Sequence, residues 1–441
     1  MNILLIGSGA REHAILKALQ QSPQQPKLFC CAVSHHPGIA GLTHARWVGD
    51  IGDVQTVVAQ AVLWQIDLAI IGPEAPLEKG MADALWAVNI PTIGPTKALA
   101  QIETSKSFAR DLLKKHHIPG SPRYRCFSDI SGVKAFLSEL GENQYVIKAN
   151  GLMGGKGVKV GGDHLHSLTE AYQFCETLQA QHLSFVIEEK CVGEEFSLMC
   201  FCDGRTLVPM PLVQDHKRAL VGDTGPNTGG MGSYSDANHS LPFLTTKEVS
   251  AALAINVAAI NALQTECDEK YIGILYGSYM ATREGVRLIE FNARFGDPEV
   301  MNVLAVLQTD FLEICQAMTT GTLSECAIHF ANQATVCKYA VPEGYPDAPL
   351  NAQRLDISNM THDDHFYLGA VDERDGTLYA TGSRTAAAVG VGDTICMAEK
   401  QAEEQISQVK GSFYHRDDIG KWELIQKRIA WMQTIREKEV V

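Results

Sequence analysis

The stretch Ile147-Lys148-Ala149-Asn150-Gly151-Leu152-Met153-Gly154-Gly155-Lys156-Gly157-Val158 places four glycines within seven residues, with a lysine on each side of the cluster's centre. Glycine lets backbone approach a ligand closely and adopt positive φ without steric cost. Successive N–H groups in such a turn can form a concave seat for an anion, and lysines add charge suited to phosphate. Taken alone, the stretch reads equally well as a flexible glycine-rich hairpin. It is not a Walker loop, because Gly157 follows Lys156 where Ser or Thr is required, and Asn150 stands where the first glycine belongs. The flanks 145–149 and 158–160 read as strands. The loop therefore joins strand to strand, whereas a Walker loop opens a helix.

Working outward, 120–188 reads as a small α/β lobe bounded by Ile118-Pro-Gly-Ser-Pro122. Strands are expected at 123–126, 145–149, 158–160 and 185–188, with a helix near 167–179. A small lobe carrying a glycine hairpin suits a lid. Just before it, Thr104 or Ser105 can cap a helix whose apolar face is Phe108, Leu112 and Leu113. Lys106 then lies in the first turn, where a cation opposes the helix dipole and an anionic partner is favoured.

Residues 1–103 alternate strands (2–6, 28–33, 68–71) with helices (12–21, 54–64, 78–88), the order of a parallel sheet covered by helices. The first strand-to-helix loop is Gly7-Ser-Gly9-Ala-Arg11-Glu12. Glu12 occupies the third-glycine position of a dinucleotide fingerprint, and no acidic residue occurs between Glu12 and Asp50. That argues against NAD. The loop can still receive a phosphate at a helix N-terminus. Gly72-Pro73-Glu74-Ala75-Pro76 follows the strand 68–71 and should lie beside that loop at the carboxyl edge of the sheet, as a Pro-rich turn offering Glu74 to hydroxyls or an amine.

Residues 189–327 hold the densest chemistry. Glu188, Glu189, Glu194 and Glu195 crowd a turn after a strand, and suit either a solvated turn or a ribose site. Gln214-Asp215-His216-Lys217-Arg218 brings three potential cations ahead of the loop Asp223-Thr-Gly-Pro-Asn-Thr-Gly-Gly-Met-Gly232, a pattern that fits an anionic substrate. In the strand 287–292, Glu290 and Asn292 share one face, and two oxygen ligands so spaced suit Mg²⁺. Arg294 and Asp297-Pro298-Glu299 follow, with Pro298 fit for a first helical turn. From 328 onward, strands at 334–340, 366–371, 378–380 and 385–391 and a helix near 398–409 describe a smaller α+β module with a charged helical tail.

Composition bounds the function. The chain of 441 residues is 45% hydrophobic and 20% charged, with a net charge of −14. This fits a soluble protein of several domains and excludes a non-specific nucleic-acid binder. The twelve cysteines include no CxxC pair, as expected for buried thiols in a reducing cytoplasm. No basic-plus-apolar leader and no apolar run of about 18–20 residues is evident, so neither a signal peptide nor membrane insertion is expected.

Together these motifs resemble the ATP-grasp ligases and, within them, the phosphoribosylamine–glycine ligase (glycinamide ribonucleotide synthetase) family. The resemblance runs end to end: Gly7-x-Gly9-x-Arg11-Glu12-His13, Gly72-Pro73-Glu74-Ala75-Pro76-Leu77, Ser105-Lys106-x-Phe108, Lys148-Ala-x-Gly151, Gly155-Lys156-Gly157-Val158, Gln214–Arg218, Thr224–Gly232 and Glu290–Glu299. It implies a multidomain α/β protein of ATP-grasp fold. The expected divisions are an N-terminal parallel-sheet domain (1–103), a central ATP-grasp domain (104–119 and 189–327), a lid subdomain (120–188) and a C-terminal α+β domain (328–441). The implied reaction joins glycine to 5-phosphoribosylamine with ATP, through glycyl phosphate, in purine biosynthesis, with Mg²⁺ or Mn²⁺ as metal. The partners implied are small molecules, with no nucleic acid and no membrane, in the cytoplasm. The resemblance assigns ATP to Lys106, Lys148, Gly151, Gly154, Gly155, Lys156 and Gly157, with Glu188, Glu189 and Glu195 for adenosine. It assigns metal to Glu290 and Asn292, and catalysis to Arg294, Asp215 and Lys217. Gly9, Arg11 and Glu74 would hold the phosphoribosyl group. His216, Arg218, Asn227, Thr228, Gly296, Asp297 and Pro298 would complete the substrate site. The chain departs from the family's pattern at Asn150, where aspartate is usual, at Met153-Gly154 and at Ser383-Arg384.

Overall fold

A computed structural model describes residues 1–153, 157–360 and 365–437. The N-terminal sheet is five-stranded and wholly parallel, in the order Ala45–Val48, Lys27–Ala32, Asn2–Ile6, Leu68–Ile71, Thr92–Ile93. Its central strand reads Asn-Ile-Leu-Leu-Ile because helices cover both faces. Ile3 to Ile6 are fully buried, each side chain stabilising the fold by about 1.5–3 kcal/mol. The strand 45–48 and the short strand 92–93 escaped the sequence reading, being part-exposed and two residues long respectively.

Two local expectations are corrected. The helix placed at 78–88 is two helices, Glu74–Glu78 and Met81–Ala87, separated by Gly80 in a left-handed conformation (φ +82°). The Pro-rich turn at 72–76 is therefore the start of a helix, with Pro73 at its N-cap. Pro298 likewise occupies the N-cap, one position before the helix Glu299–Ala305.

The lid sheet has the order Tyr124–Phe127, Phe185–Glu189, Tyr145–Ala149, Val158–Val160, all antiparallel, backed by helices Val133–Leu140 and Leu168–Ala180. It has a hydrophobic cluster of its own, including Phe136, Tyr145, Ile147 and Phe185. The strands flanking the glycine loop pair as a hairpin, Lys148 opposite Val158. Gly154, Gly155 and Lys156 lie outside the described residues.

A four-stranded antiparallel sheet (Leu207–Pro209, Gly193–Asp203, Ile272–Thr282, Gly285–Asn292) forms the floor beneath the lid. A six-stranded sheet then joins central and C-terminal sequence: Gln214–Asp215 pairs with Gly232–Ser235, which pairs with Ala334–Pro342; that strand pairs in turn with Ala386–Gly392, followed by Phe366–Leu368, and its end carries Phe413–Tyr414. The C-terminal segment thus builds the wall from which residues 215–232 project. Among the described residues, no helix is long and apolar enough to cross a membrane.

Candidate active site

The floor strand and the lid meet at Glu290. Its position opposite Ser278, with Asn292 opposite Tyr276, puts both side chains on one face of the sheet, as the alternation required. Burial opposes ionisation of Glu290, yet Lys217, Lys148, Lys106 and Arg294 together hold its carboxyl below the usual range. No hydrogen bond reaches that carboxylate among the described residues. Lys106 also lacks a carboxylate hydrogen-bond partner among the described residues: its ammonium donates to the Gly151 carbonyl at 2.8 Å. The helix Lys106–Lys115 starts there because the Ser105 hydroxyl caps it, accepting the Phe108 N–H.

Lys148 is anchored differently. Its ammonium donates to Ile289 O (2.8 Å) and pairs with Glu188 (2.9 Å). Arg110, one helical turn past Lys106, grips Glu188 with Nε at 2.6 Å and Nη2 at 2.9 Å and also reaches Ile289 O at 2.8 Å. Burial would raise the Glu188 carboxyl, but Arg110 and Lys148 outweigh it and pull it down to about 2. Glu188, expected at adenosine, is thus committed to holding the lid's incoming strand on the floor. Glu189 turns to Arg123 on the lid exterior (2.9 Å). Glu195 pairs with Lys217 and accepts from Ser278 Oγ, so it shares Lys217 with Glu290, as Glu188 shares Lys148.

Asn150, the departure from the usual aspartate, has a structural reason. Its Oδ1 accepts from the Ser107 N–H (3.3 Å), while Nδ2 donates to Ser107 Oγ (3.0 Å) and Ser184 Oγ (3.2 Å). The amide both accepts and donates here, whereas an aspartate would only accept, with the two hydroxyls turned to donate to it.

The second side of the cleft centres on Arg294, which contacts Glu74 (3.2 Å), Glu103 (3.0 Å) and Asn292 Oδ1 (3.1 Å). Burial resists ionisation of Glu74, but Arg294 and Arg11 bring it to about 2. Arg11 bonds Glu12 at 2.7 Å and reaches Phe295 O at 3.3 Å. Glu12 also accepts the Gly9 N–H at 2.6 Å. The loop's own carboxylate therefore occupies the Gly9 donor that sequence reasoning offered to phosphate.

Of the remaining candidates, Asp215 lies beside Glu299 and Lys217; burial and the Glu299 carboxylate push its carboxyl well above the usual range. Its Oδ1 is buried without a partner among the described residues. Gly296 packs against Glu299 and Tyr276, and Asp297 accepts from the Tyr339 hydroxyl at 2.6 Å. Thr228 donates through both its N–H and Oγ1 to Lys217 O. Arg218 and Asn227 face each other on a two-stranded hairpin, and Arg218 reaches Asp163 of the lid at 2.8 Å. His216 is buried against Tyr234, and burial, then Arg428 and Arg416, push its imidazole well below its ordinary value. It stands behind the site as a neutral packing group.

Sequence reasoning missed Arg110, Glu103, Tyr276 and Tyr339, and marked Arg384 only as part of a departure from the family's pattern. Only Arg110 carried a local signal, its four-residue spacing from Lys106 on one helical face.

Family models match the chain along most of its length: the N domain of phosphoribosylglycinamide synthetase over residues 1–103, its ATP-grasp (A) domain over 104–300, and its C domain over 335–422. The chain belongs to the phosphoribosylglycinamide synthetase family. Family members include the phosphoribosylamine–glycine ligase of Methanocella arvoryzae, 44% identical over 436 residues, covering 99% of this chain and 100% of that protein. The ligase of Methanocaldococcus jannaschii is 46% identical over 445 residues, with coverage of 99% and 100%. The crystal structure of phosphoribosylamine–glycine ligase from Thermotoga maritima superposes with a TM-score of 0.80 at 24% identity, covering 95% of this chain and all of that one. The biotin carboxylase domain of Hydrogenobacter thermophilus 2-oxoglutarate carboxylase, crystallised with MgADP, ADP and bicarbonate, has the same fold, with a TM-score of 0.71 at 13% identity over 98% of this chain and 93% of that one. The fold is ATP-grasp.

A divalent cation fits the donor set. Glu290 offers an ionised carboxylate free of hydrogen bonds from the described residues, and Asn292 offers a neutral oxygen two residues on. A cation such as Mg²⁺ completes its shell from water and substrate phosphates, so two protein oxygens suffice.

Proposed function

We propose that this chain joins glycine to 5-phosphoribosylamine with ATP, giving glycinamide ribonucleotide, ADP and phosphate, in purine biosynthesis. Membership of the family supports the substrates. The observation that carries the chemistry is the convergence of Lys106, Lys148, Lys217 and Arg294 on Glu290, with Lys106 free of any carboxylate partner among the described residues.

Phosphoryl transfer needs positioning and neutralisation of charge more than covalent help. Lys106 and Lys148 receive the ATP phosphates. Glu290 and Asn292 would hold a Mg²⁺ or Mn²⁺ ion, which would supply charge neutralisation at the phosphates. Glycine's carboxylate attacks the γ-phosphorus and ADP leaves. The resulting glycyl phosphate is then attacked at its carbonyl carbon by the amine of phosphoribosylamine, with loss of phosphate and a proton. Arg294, Asp215 and Lys217 line this region, and Arg294 lies between the phosphate side and Glu74. Arg11 and Glu74 address the phosphoribosyl group, and Asp297 and Thr228 shape the glycine side. The lid keeps water from the acyl phosphate.

Glycine labelled with ¹⁸O in its carboxylate tests the intermediate. One label should appear in the released phosphate for each glycinamide ribonucleotide formed. Label-free phosphate would exclude glycyl phosphate.

A further inference from the structure

The C-terminal module sends toward this site the side chain of Arg384, noted in the sequence only as part of a departure from the family's pattern. Arg384 precedes the strand Ala386–Gly392, and its guanidinium is largely enclosed, with 18% of the side chain exposed. Nη1 donates to Gly229 O at 2.8 Å and to Asp297 O at 2.7 Å, and lies 3.1 Å from Asp297 Oδ1. Its plane lies over the Tyr339 ring, 4.8 Å from the centroid. The Tyr339 hydroxyl in turn donates to Asp297 Oδ1 at 2.6 Å. A Cβ on Gly229 would stand 3.2 Å from the guanidinium carbon, so the 229–230 turn rests directly on that group.

These contacts join two loops distant in sequence. The turn at Gly230 packs on Asp215, since a Cβ there would lie 2.5 Å from Asp215 Oδ1. Asp297 begins the loop entering the helix that carries Glu299. One guanidinium therefore fixes the distance between the loop that backs Asp215 and the loop that presents Asp297. Arginine suits the task because its planar fork serves several oxygens at once while its face stacks on an aromatic ring. A lysine would supply charge without that shape.

We propose that Arg384, braced by Tyr339, is a positioning residue that sets the Asp215–Asp297 side of the site for the amino-acid substrate, so that the C-terminal module tunes glycine use without touching ATP. This rests on the reading of that side as the glycine side. It goes beyond that reading in assigning a C-terminal residue to substrate selectivity.

The test compares Arg384→Met and Tyr339→Phe with the wild-type full chain, varying glycine and ATP separately. The KM for glycine should rise about 30-fold in Arg384→Met and about threefold to tenfold in Tyr339→Phe, the range of one to a few lost hydrogen bonds to charged groups. The KM for ATP should stay within about twofold, and Arg384→Lys should recover only part of the loss. A general structural defect would raise both KM values and lower the melting temperature together. Glycine KM unchanged in both variants overturns the proposal, as does an equal rise in both KM values. Should Arg384→Met fold poorly, the near-isosteric Tyr339→Phe decides alone. Wild-type ADP release that ignores glycine would instead sink the underlying reading, so the two failures are distinguishable.

Discussion

The two sides of the cleft use the same residue types and differ in how their charges are closed. On the phosphate side, among the described residues, Glu290 faces several cations and takes no protein hydrogen bond, while Lys106 donates to a carbonyl and to no carboxylate. On the acceptor side, Arg294 is shared among Glu74, Glu103 and Asn292, and Glu12 closes on both Arg11 and the Gly9 N–H. The first arrangement has positive charge to spare and is completed by an anion. In the second, both arginines already have carboxylate partners, and the side is already shaped. The difference teaches that a cluster of charged residues in sequence does not itself tell a ligand site from its scaffold. What separates them is whether each charge already has its partner.

The largest expected effect lies on the open side. Glu290→Gln should lower kcat by about 10³-fold, comparable with removing a principal electrostatic stabiliser of a transition state, while leaving thermal unfolding near wild type. A loss below about tenfold would erase the distinction between the two sides. Closed pairs should respond in stability first. Arg110→Met strands Glu188 with half its ion pairs gone and should lower the unfolding free energy by about 3–5 kcal/mol in denaturant titration.

Acid titration sharpens the same point. Glu188 is depressed in the fold to about 2, so its ion pairs stabilise fully above the ordinary carboxyl value of 4.5. That contribution shrinks as pH falls and is gone below about 2. The stability gap between wild type and Glu188→Gln should therefore narrow across that window; a gap constant from pH 6 to pH 2 would contradict the assignment. Smallest is the expected effect of Glu12→Gln, which keeps the shape of the loop but weakens its hold on Arg11 and Gly9. The KM for phosphoribosylamine should rise about tenfold, in line with loss of a charge-assisted hydrogen bond, with the KM for ATP unmoved.

Much of this architecture was legible in the chain. Continuous apolar strands such as 2–6 and 68–71 announced a buried parallel sheet, and Lys148 on a strand entering a glycine loop announced a hairpin rather than a Walker turn. Glu290 and Asn292 were readable because strand alternation is strict. What stayed hidden depended on partners far along the chain. Glu188 and Glu195 look alike in sequence. Only the fold places Arg110 against one and Lys217 against the other. Gly9 looked like a phosphate donor until Glu12 was seen to take its N–H. Asn150 reads as a departure in sequence and as a two-way amide clamp in space. The six-stranded sheet that runs from 214–215 through 232–235 to 334–342 could not be foreseen from periodicity, because its first strands are two and four residues long. Arg384 and Tyr339 matter through that same sheet.

The most direct test of the account is ADP release measured with each substrate omitted in turn, with phosphoribosylamine generated in place. An open phosphate side served by a preformed acceptor side predicts sustained ADP release only when ATP, glycine and phosphoribosylamine are all present, with one glycinamide ribonucleotide per ADP. Equal release with a simple amine in place of phosphoribosylamine, or without glycine, would contradict it.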